Sequence, residues 1–431
     1  MQVSRLRRTT VILFLIAFLF LAGRPAQANS VLTHEQIVDF LWKTEITKIL
    51  MERYPKTTPE ELTAAHAYAY GGCLIQDLGY YPSGNKFFSD LVHYVRTGDF
   101  VSELISQSQN VNELAFALGA LSHYSADTVA HPTVNAAVAI VFPKLRRKYG
   151  KEVTYEDDPK AHIRTEFGFD VSQVAQNHYT SDAYHDFIGF QVAKELLERA
   201  FLATYGISLK EVLPDEDRTI NTYRRSVSTW IPRLTQVALI SKKKELEATP
   251  NFNPRQFRYL LSRTKYEKEW GSNYVRPTGW ARFLAFIVKL MPKIGPFRTL
   301  DIKVPTPQTE KMYIKSVEDT VTEYRRLLAA SIAPQFSLPD RDLDTSKPTS
   351  AGEYQLADKA YARLMKQLAK DNFAGMNPTL RANILDYYSD TTRPIATKEH
   401  PEDWKELQAN IEALRKSVPV RDETTSENKK P

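Results

Sequence analysis

Ala117-Leu118-Gly119-Ala120-Leu121-Ser122-His123-Tyr124-Ser125-Ala126-Asp127, closed four residues later by His131-Pro132, is the stretch that decides the fold. Its periodicity is helical, and His123, Asp127 and His131 stand at i, i+4 and i+8. At 3.6 residues per turn these three fall within about 80° of one another, on one face. Pro132 disfavours helical geometry in the residue before it. The pattern therefore predicts one helix over 111–130, another over 132–147, and a His131 side chain projecting from a helix end.

Working outward, His162 and Glu166 repeat the i, i+4 spacing on a second element, and two such pairs can face each other across a helical bundle. Eight of the nine histidines lie between His34 and His185, little more than a third of the chain. His34, Asp77 and His93 stand upstream of the two pairs. Imidazoles with a few carboxylates and no thiolate are what zinc accepts in hydrolytic sites. A single His-x3-Asp pair is a weak signal, usually a surface or satisfied core group. Two pairs with three more donors upstream indicate a multinuclear zinc site. His66, His178 and His185 fit no ligand spacing and are taken as surface or packing residues. Cys73, the one cysteine, sits among small and apolar neighbours and is expected to be a buried thiol.

The remaining pattern is helical throughout, with no sustained alternation that would suggest a sheet. Thr33 with Gln36 reads as a capping box opening a helix near His34 that runs toward Tyr54. Thr58-Pro59-Glu60-Glu61 opens the next, with proline at the first helical position and acids in the first turn. Further helices are predicted over 84–97, 181–204, 217–247, 309–331, 351–370, 377–389 and 402–416. The fold class is all-α: a helical bundle with the zinc site in its core and a largely helical C-terminal extension. Residues 29–247 form the expected catalytic domain and 248–416 a helical region to which the sequence assigns no role. With only His400, that region is expected to stay clear of the metal site. Residues 417–431 read as a disordered tail.

The chain opens with Arg5, Arg7 and Arg8, an apolar run from Val11 to Ala22, and Ala26-Gln27-Ala28. The run is too short to span a bilayer, so residues 1–28 read as an export signal and the location as secreted or periplasmic. Removing the signal's four arginines takes the formal charge from +6 to +2. A pI near 9.0 is then no argument for nucleic-acid binding, which needs a clustered basic face.

Gly71-Gly72-Cys73-Leu74-Ile75-Gln76-Asp77-Leu78-Gly79-Tyr80-Tyr81-Pro82, then Asp90-Leu91-Val92-His93-Tyr94 and the opening stretch, together resemble the zinc-dependent phospholipase C family. The order His, Asp, His, His-x3-Asp, His, His-x3-Glu matches the family's ligand order at every step, over about residues 30–200. The resemblance implies an all-helical fold holding two to three zinc ions and hydrolysing phosphodiesters. Asp77, His93, His123 and Asp127 would bind one zinc, with Asp127 bridging to a second. His131, His162 and Glu166 would hold another. His34 would bind the remaining ion with the amine and carbonyl of Asn29, the first residue after the predicted cut. The family's phospholipases begin with tryptophan, and this chain departs from them there.

The chemistry expected of such a site is attack by a zinc-bound hydroxide, with Asp77 orienting the water or acting as general base. The substrate would be a phospholipid, cleaved to diacylglycerol and a phosphorylated headgroup. A nuclease of the same fold is the alternative, although the disulfides of such nucleases cannot form here. A non-enzymatic lipid-binding zinc protein is the third reading. Residues 279–291, apolar and punctuated by cations, suit either a buried helix or peripheral contact with a membrane.

Overall fold

The computed structural model describes residues 31–176, 189–247 (without 232, 233, 236, 237, 240 and 241) and 302–417. The signal segment, Asn29, His178, His185, residues 279–291 and nearly all of the predicted tail lie outside the described residues, as does the start of the helix predicted over 181–204. Among the described residues there is no strand, only an isolated bridge between Arg341 and Pro348. The fold class is all-α, as expected.

Four helices carry the site. α1 (Val31–Leu41) passes through a π turn (Trp42–Ile46) into α2 (Thr47–Arg53). Its first turn differs from the expected capping box. Thr33 lies inside the helix, and its hydroxyl donates to Asp170 at 2.8 Å. α3 (Pro59–Gly72) opens as the sequence predicts: Thr58 accepts from the Glu61 amide while the Glu61 carboxylate accepts from the Thr58 amide. A 3-10 turn (Ile75–Tyr80) follows, then α4 (Lys86–Tyr94). The predicted 84–97 helix is in fact broken, because Arg96 takes a left-handed φ of 48° and starts α5 (Thr97–Ser106) in a new direction.

α6 (Val111–Val141) is the axis of the molecule and runs through the break predicted at 131, the chain breaking instead at Phe142. Pro132 removes a single amide donor and would leave the Thr128 carbonyl without its helical partner. The Ser346 hydroxyl donates to that carbonyl, so the helix runs on through the proline. α3 crosses α6 at backbone contact: a Cβ on Gly119 would stand 2.1 Å from the Ala69 carbonyl oxygen, and one on Gly72 1.9 Å from that of Phe116. Only glycine fits at this crossing.

After α7 (Pro143–Tyr149), α8 (Pro159–Ala175) is capped by Asp158, whose carboxylate accepts from the Ala161 amide. The His162–Glu166 spacing is helical but no bounds were predicted for this helix, and the reason is physical. Every residue from Ala161 to Ala175 is buried, so α8 has no solvated face to generate a period. α9 (Lys194–Tyr205), α10 (Leu209–Val212), α11 (Glu216–Arg225) and α12 (Lys243–Glu247) follow.

The C-terminal helices are α13 (Pro307–Ser331), α14 (Gln355–Lys370), α15 (Pro378–Tyr387) and α16 (Pro401–Lys416). α13 lies along α6, where Tyr324 donates to the Leu118 carbonyl at 2.8 Å. One hydrophobic cluster runs from Val31 through Phe116 and Tyr324 to Leu414, so both halves of the chain share a core. Residues 332–354 form an irregular strap over α4, α5 and α6. Asp340 accepts from the Gly98 and Asp99 amides at the start of α5, and the Leu343 amide donates to the His93 carbonyl at 3.1 Å.

Candidate metal centre

His34 on α1, Asp77 in the 3-10 turn, His93 on α4, His123, Asp127 and His131 on α6, and His162 and Glu166 on α8 converge at one place. All eight are buried, the most accessible being His131 at 7 %. His131 does not project from a helix end. It sits inside α6, two turns beyond His123 on the same face.

The two oxygens of Asp127 are divided between different partners. Oδ2 lies 3.1 Å from His123 Nε2 and 3.6 Å from His93 Nε2. Oδ1 lies 3.5 Å from His131 Nε2 and 3.7 Å from His34 Nε2. On the first side, His93 Nε2 is also 3.5 Å from Asp77 Oδ1 and 3.4 Å from His123 Nε2. On the other, Glu166 Oε1 is 3.5 Å from His131 Nε2 and 3.2 Å from His162 Nε2. The His34 ring stacks on that of His123 at 4.4 Å.

These separations fit a metal better than they fit hydrogen bonds. Donors about 2.1 Å from a tetrahedral ion stand about 3.4 Å apart, the edge of the tetrahedron. Most of the separations are longer than a charge-assisted hydrogen bond of ~2.7–2.9 Å. Two imidazole Nε2 atoms facing each other at 3.4 Å, as in His93 and His123, have a reason to do so when a cation lies between them. Glu166 Oε2 is buried with no hydrogen-bond partner, a position that costs about 1–3 kcal/mol unless something else satisfies it. Three sets, His34–His123–Asp127, Asp77–His93–His123 and His131–His162–Glu166, have donor atoms close enough to share an ion.

The electrostatics agree. Burial, then the neighbouring His123, push His34 down to about 3 and His93 down to about 4, so both are neutral donors. Against the effect of burial, His162 and His131 hold Glu166 at about 2. Against burial again, Asp127 raises both His123 and His131. These carboxylates thus favour positive charge beside them.

Residues 33–214 match the family described as zinc dependent phospholipase C. The match covers less than half of the chain, which through this segment carries a domain of that family. It is a zinc-dependent phospholipase C enzyme, and the family implies a phospholipid substrate. No curated protein and no solved structure matches the chain. All eight convergent side chains of this phospholipase C fall within the matched segment.

Support for them comes partly from beyond it, which corrects the expectation that the C-terminal half stays clear of the site. The Leu343 carbonyl accepts from His131 Nδ1 at 2.8 Å, and Asp344 Oδ1 lies 3.6 Å from the same nitrogen. α13 contributes Tyr313, Ser316, Val317 and Thr320 to the wall of a cavity of about 30 Å³ that reaches His34, Asp127, His131 and Glu166. Larger clefts exist, one of about 240 Å³ between α14 and α16 and one of about 550 Å³ beside Ser83 and Arg218, but neither brings together such a donor set.

The expectations for His66 and Cys73 are met. His66 is a packing residue, stacked on Trp42 at 3.9 Å and bonded to Asp39 at 2.9 Å. Cys73 is fully buried, and burial pushes its thiol well up. No helix among the described residues is long and apolar enough to cross a membrane.

Proposed function

We propose that this chain cleaves the glycerol side of a phospholipid's phosphodiester, releasing diacylglycerol and a phosphorylated headgroup. The observation that carries this reading is the division of the two Asp127 oxygens between separate groups of buried donors. Asp77, His93, His123 and Asp127 would hold one zinc, and His131, His162 and Glu166 another. His34 would serve the third, with the amine and carbonyl of Asn29 once residues 1–28 are removed. Bound zinc would supply Lewis-acid charge to the phosphate oxygens and lower the pKa of water.

The protein residues have their own tasks. Asp127 keeps two donor groups in register through one carboxylate, so its two oxygens set their separation. His93 and His123 are fixed from behind: Nδ1 of each lies against a carbonyl, Ser89 at 2.8 Å and Cys73 at 2.9 Å, which leaves Nε2 directed inward. Asp77, fully buried beside His93, would orient the attacking water and take its proton. Burial of the whole set excludes bulk water and strengthens each of these interactions.

Residues 29–247 as the catalytic unit and export of the mature chain belong to the same reading. The test is the zinc-loaded protein assayed in parallel on phosphatidylcholine vesicles, phosphatidylinositol vesicles and single-stranded DNA. Release of diacylglycerol from either vesicle is the expected result. Cleavage of DNA with both lipids intact would transfer the chain to nuclease chemistry, and turnover of none of the three would overturn the proposal.

A further inference from the structure

Asp344 is a fully buried carboxylate that lies outside the family match and outside the donor set, yet within 3.6 Å of it. Its Oδ2 accepts from two phenols, Tyr94 at 2.8 Å and Tyr354 at 2.6 Å. Its carbonyl accepts from Asn135 Nδ2 at 2.8 Å, and its amide donates to Asp342 at 2.8 Å. The preceding residue is tied at both ends of its peptide groups, Leu343 amide to His93 carbonyl and Leu343 carbonyl to His131 Nδ1. The strap at 343–344 is thus pinned between the backbone of one candidate donor and the ring of another.

Two neutral acceptors would satisfy the tyrosines equally well. A buried charge costs several kcal/mol of desolvation unless something opposite repays it. Its other oxygen, Oδ1, faces the His131 ring. At 3.6 Å, Asp344 Oδ1 is too far for a hydrogen bond to Nδ1, which the Leu343 carbonyl takes. The carboxylate instead stands beside a polarised N–H. It favours the tautomer with the proton on Nδ1, leaving the Nε2 lone pair toward Asp127 and Glu166, and it makes that lone pair a better donor.

We propose that Asp344, acting with the Leu343 carbonyl, is a positioning residue that orients and tunes His131 as a metal donor. It rests on the reading of His131, His162 and Glu166 as a metal centre. The C-terminal region is then part of the metal site's supporting layer, although among the described residues it supplies none of the candidate donors.

The experiment titrates zinc out of the full-length wild type and the Asp344→Asn variant with a graded competing chelator. Melting temperature is recorded for each protein with and without zinc. One zinc of the set should be held about 10–100-fold more weakly in Asp344→Asn while the others keep their wild-type retention. The rise in melting temperature on adding zinc should shrink, and the zinc-free melting temperature should change far less. A purely structural residue would lower both melting temperatures together. If Asp344→Asn does not fold, Tyr354→Phe is read the same way. It keeps the carboxylate, removes one hydroxyl that holds it, and should weaken the same zinc by a smaller factor.

Unchanged zinc retention in a folded variant, or equal losses of melting temperature with and without zinc, overturns the role of Asp344 and leaves the metal centre standing. A wild-type protein that holds no zinc overturns the metal centre and this proposal with it.

Discussion

Asp127 and Glu166 are both buried carboxylates, but Asp127 stands beside four imidazoles and Glu166 beside two, and they are not equivalent. Asp127 turns one oxygen to each group of donors, whereas Glu166 turns Oε1 to both of its histidines. An amide at 127 removes charge from both groups, and an amide at 166 from one. Asp127→Asn should therefore reduce turnover by more than the ~10–100-fold typical of supporting residues, and by more than Glu166→Gln does. Parallel measurement of activity and zinc content checks this. A folded Asp127→Asn protein with full zinc and near-wild-type turnover would remove Asp127 from the bridging role. The convergence of the eight candidate donors was legible in the sequence because their chemistry is rare and much of their spacing helical. The Leu343 carbonyl and Asp344 were not. A backbone carbonyl carries no sequence mark, and an aspartate 213 positions from His131 looks like any surface acid until the fold closes.

At the scale of the element, the long helix α6 holds three of the donors, and its position depends on the absence of a side chain. The carbonyl of Ala69 occupies the space where a Gly119 Cβ would stand, and backbone cannot swing aside as a flexible side chain can. Gly119→Ala should cost at least ~3 kcal/mol, the upper end of ordinary overpacking, because α3 must be displaced from α6. Denaturant unfolding measures this, and a loss below ~1 kcal/mol would show that the crossing can spread without harm. Where an element keeps a solvated side or a clear cap, as α3 does at Thr58, the sequence predicts its start correctly. Where burial is complete, as along α8, hydrophobic period vanishes and the helix's bounds are missed. Pro132 misled for a related reason: a proline ends a helix only when nothing else takes the carbonyl it abandons, and here Ser346 does.

Across the whole molecule, zinc and the hydrophobic core should stabilise the same folded state. The donors come from α1, the 3-10 turn, α4, α6 and α8, and only the folded chain brings them together. Metal that binds only the native state adds stability by mass action. Removing zinc should therefore lower the melting temperature as well as abolish activity, and restoring zinc should recover both. A melting temperature indifferent to chelation would contradict a metal centre spanning these helices.

The strap's contact with His131 also has a consequence in time. Synthesis delivers every candidate donor of the matched segment by residue 166, but the carbonyl that steadies the His131 ring belongs to a residue 212 positions beyond that histidine. At ~5–20 residues per second the interval is roughly 10–40 s. Throughout it, the growing chain carries the donors without the strap that steadies one of them. The contact that steadies His131 therefore forms only when a very long loop closes, after the C-terminal half has been made.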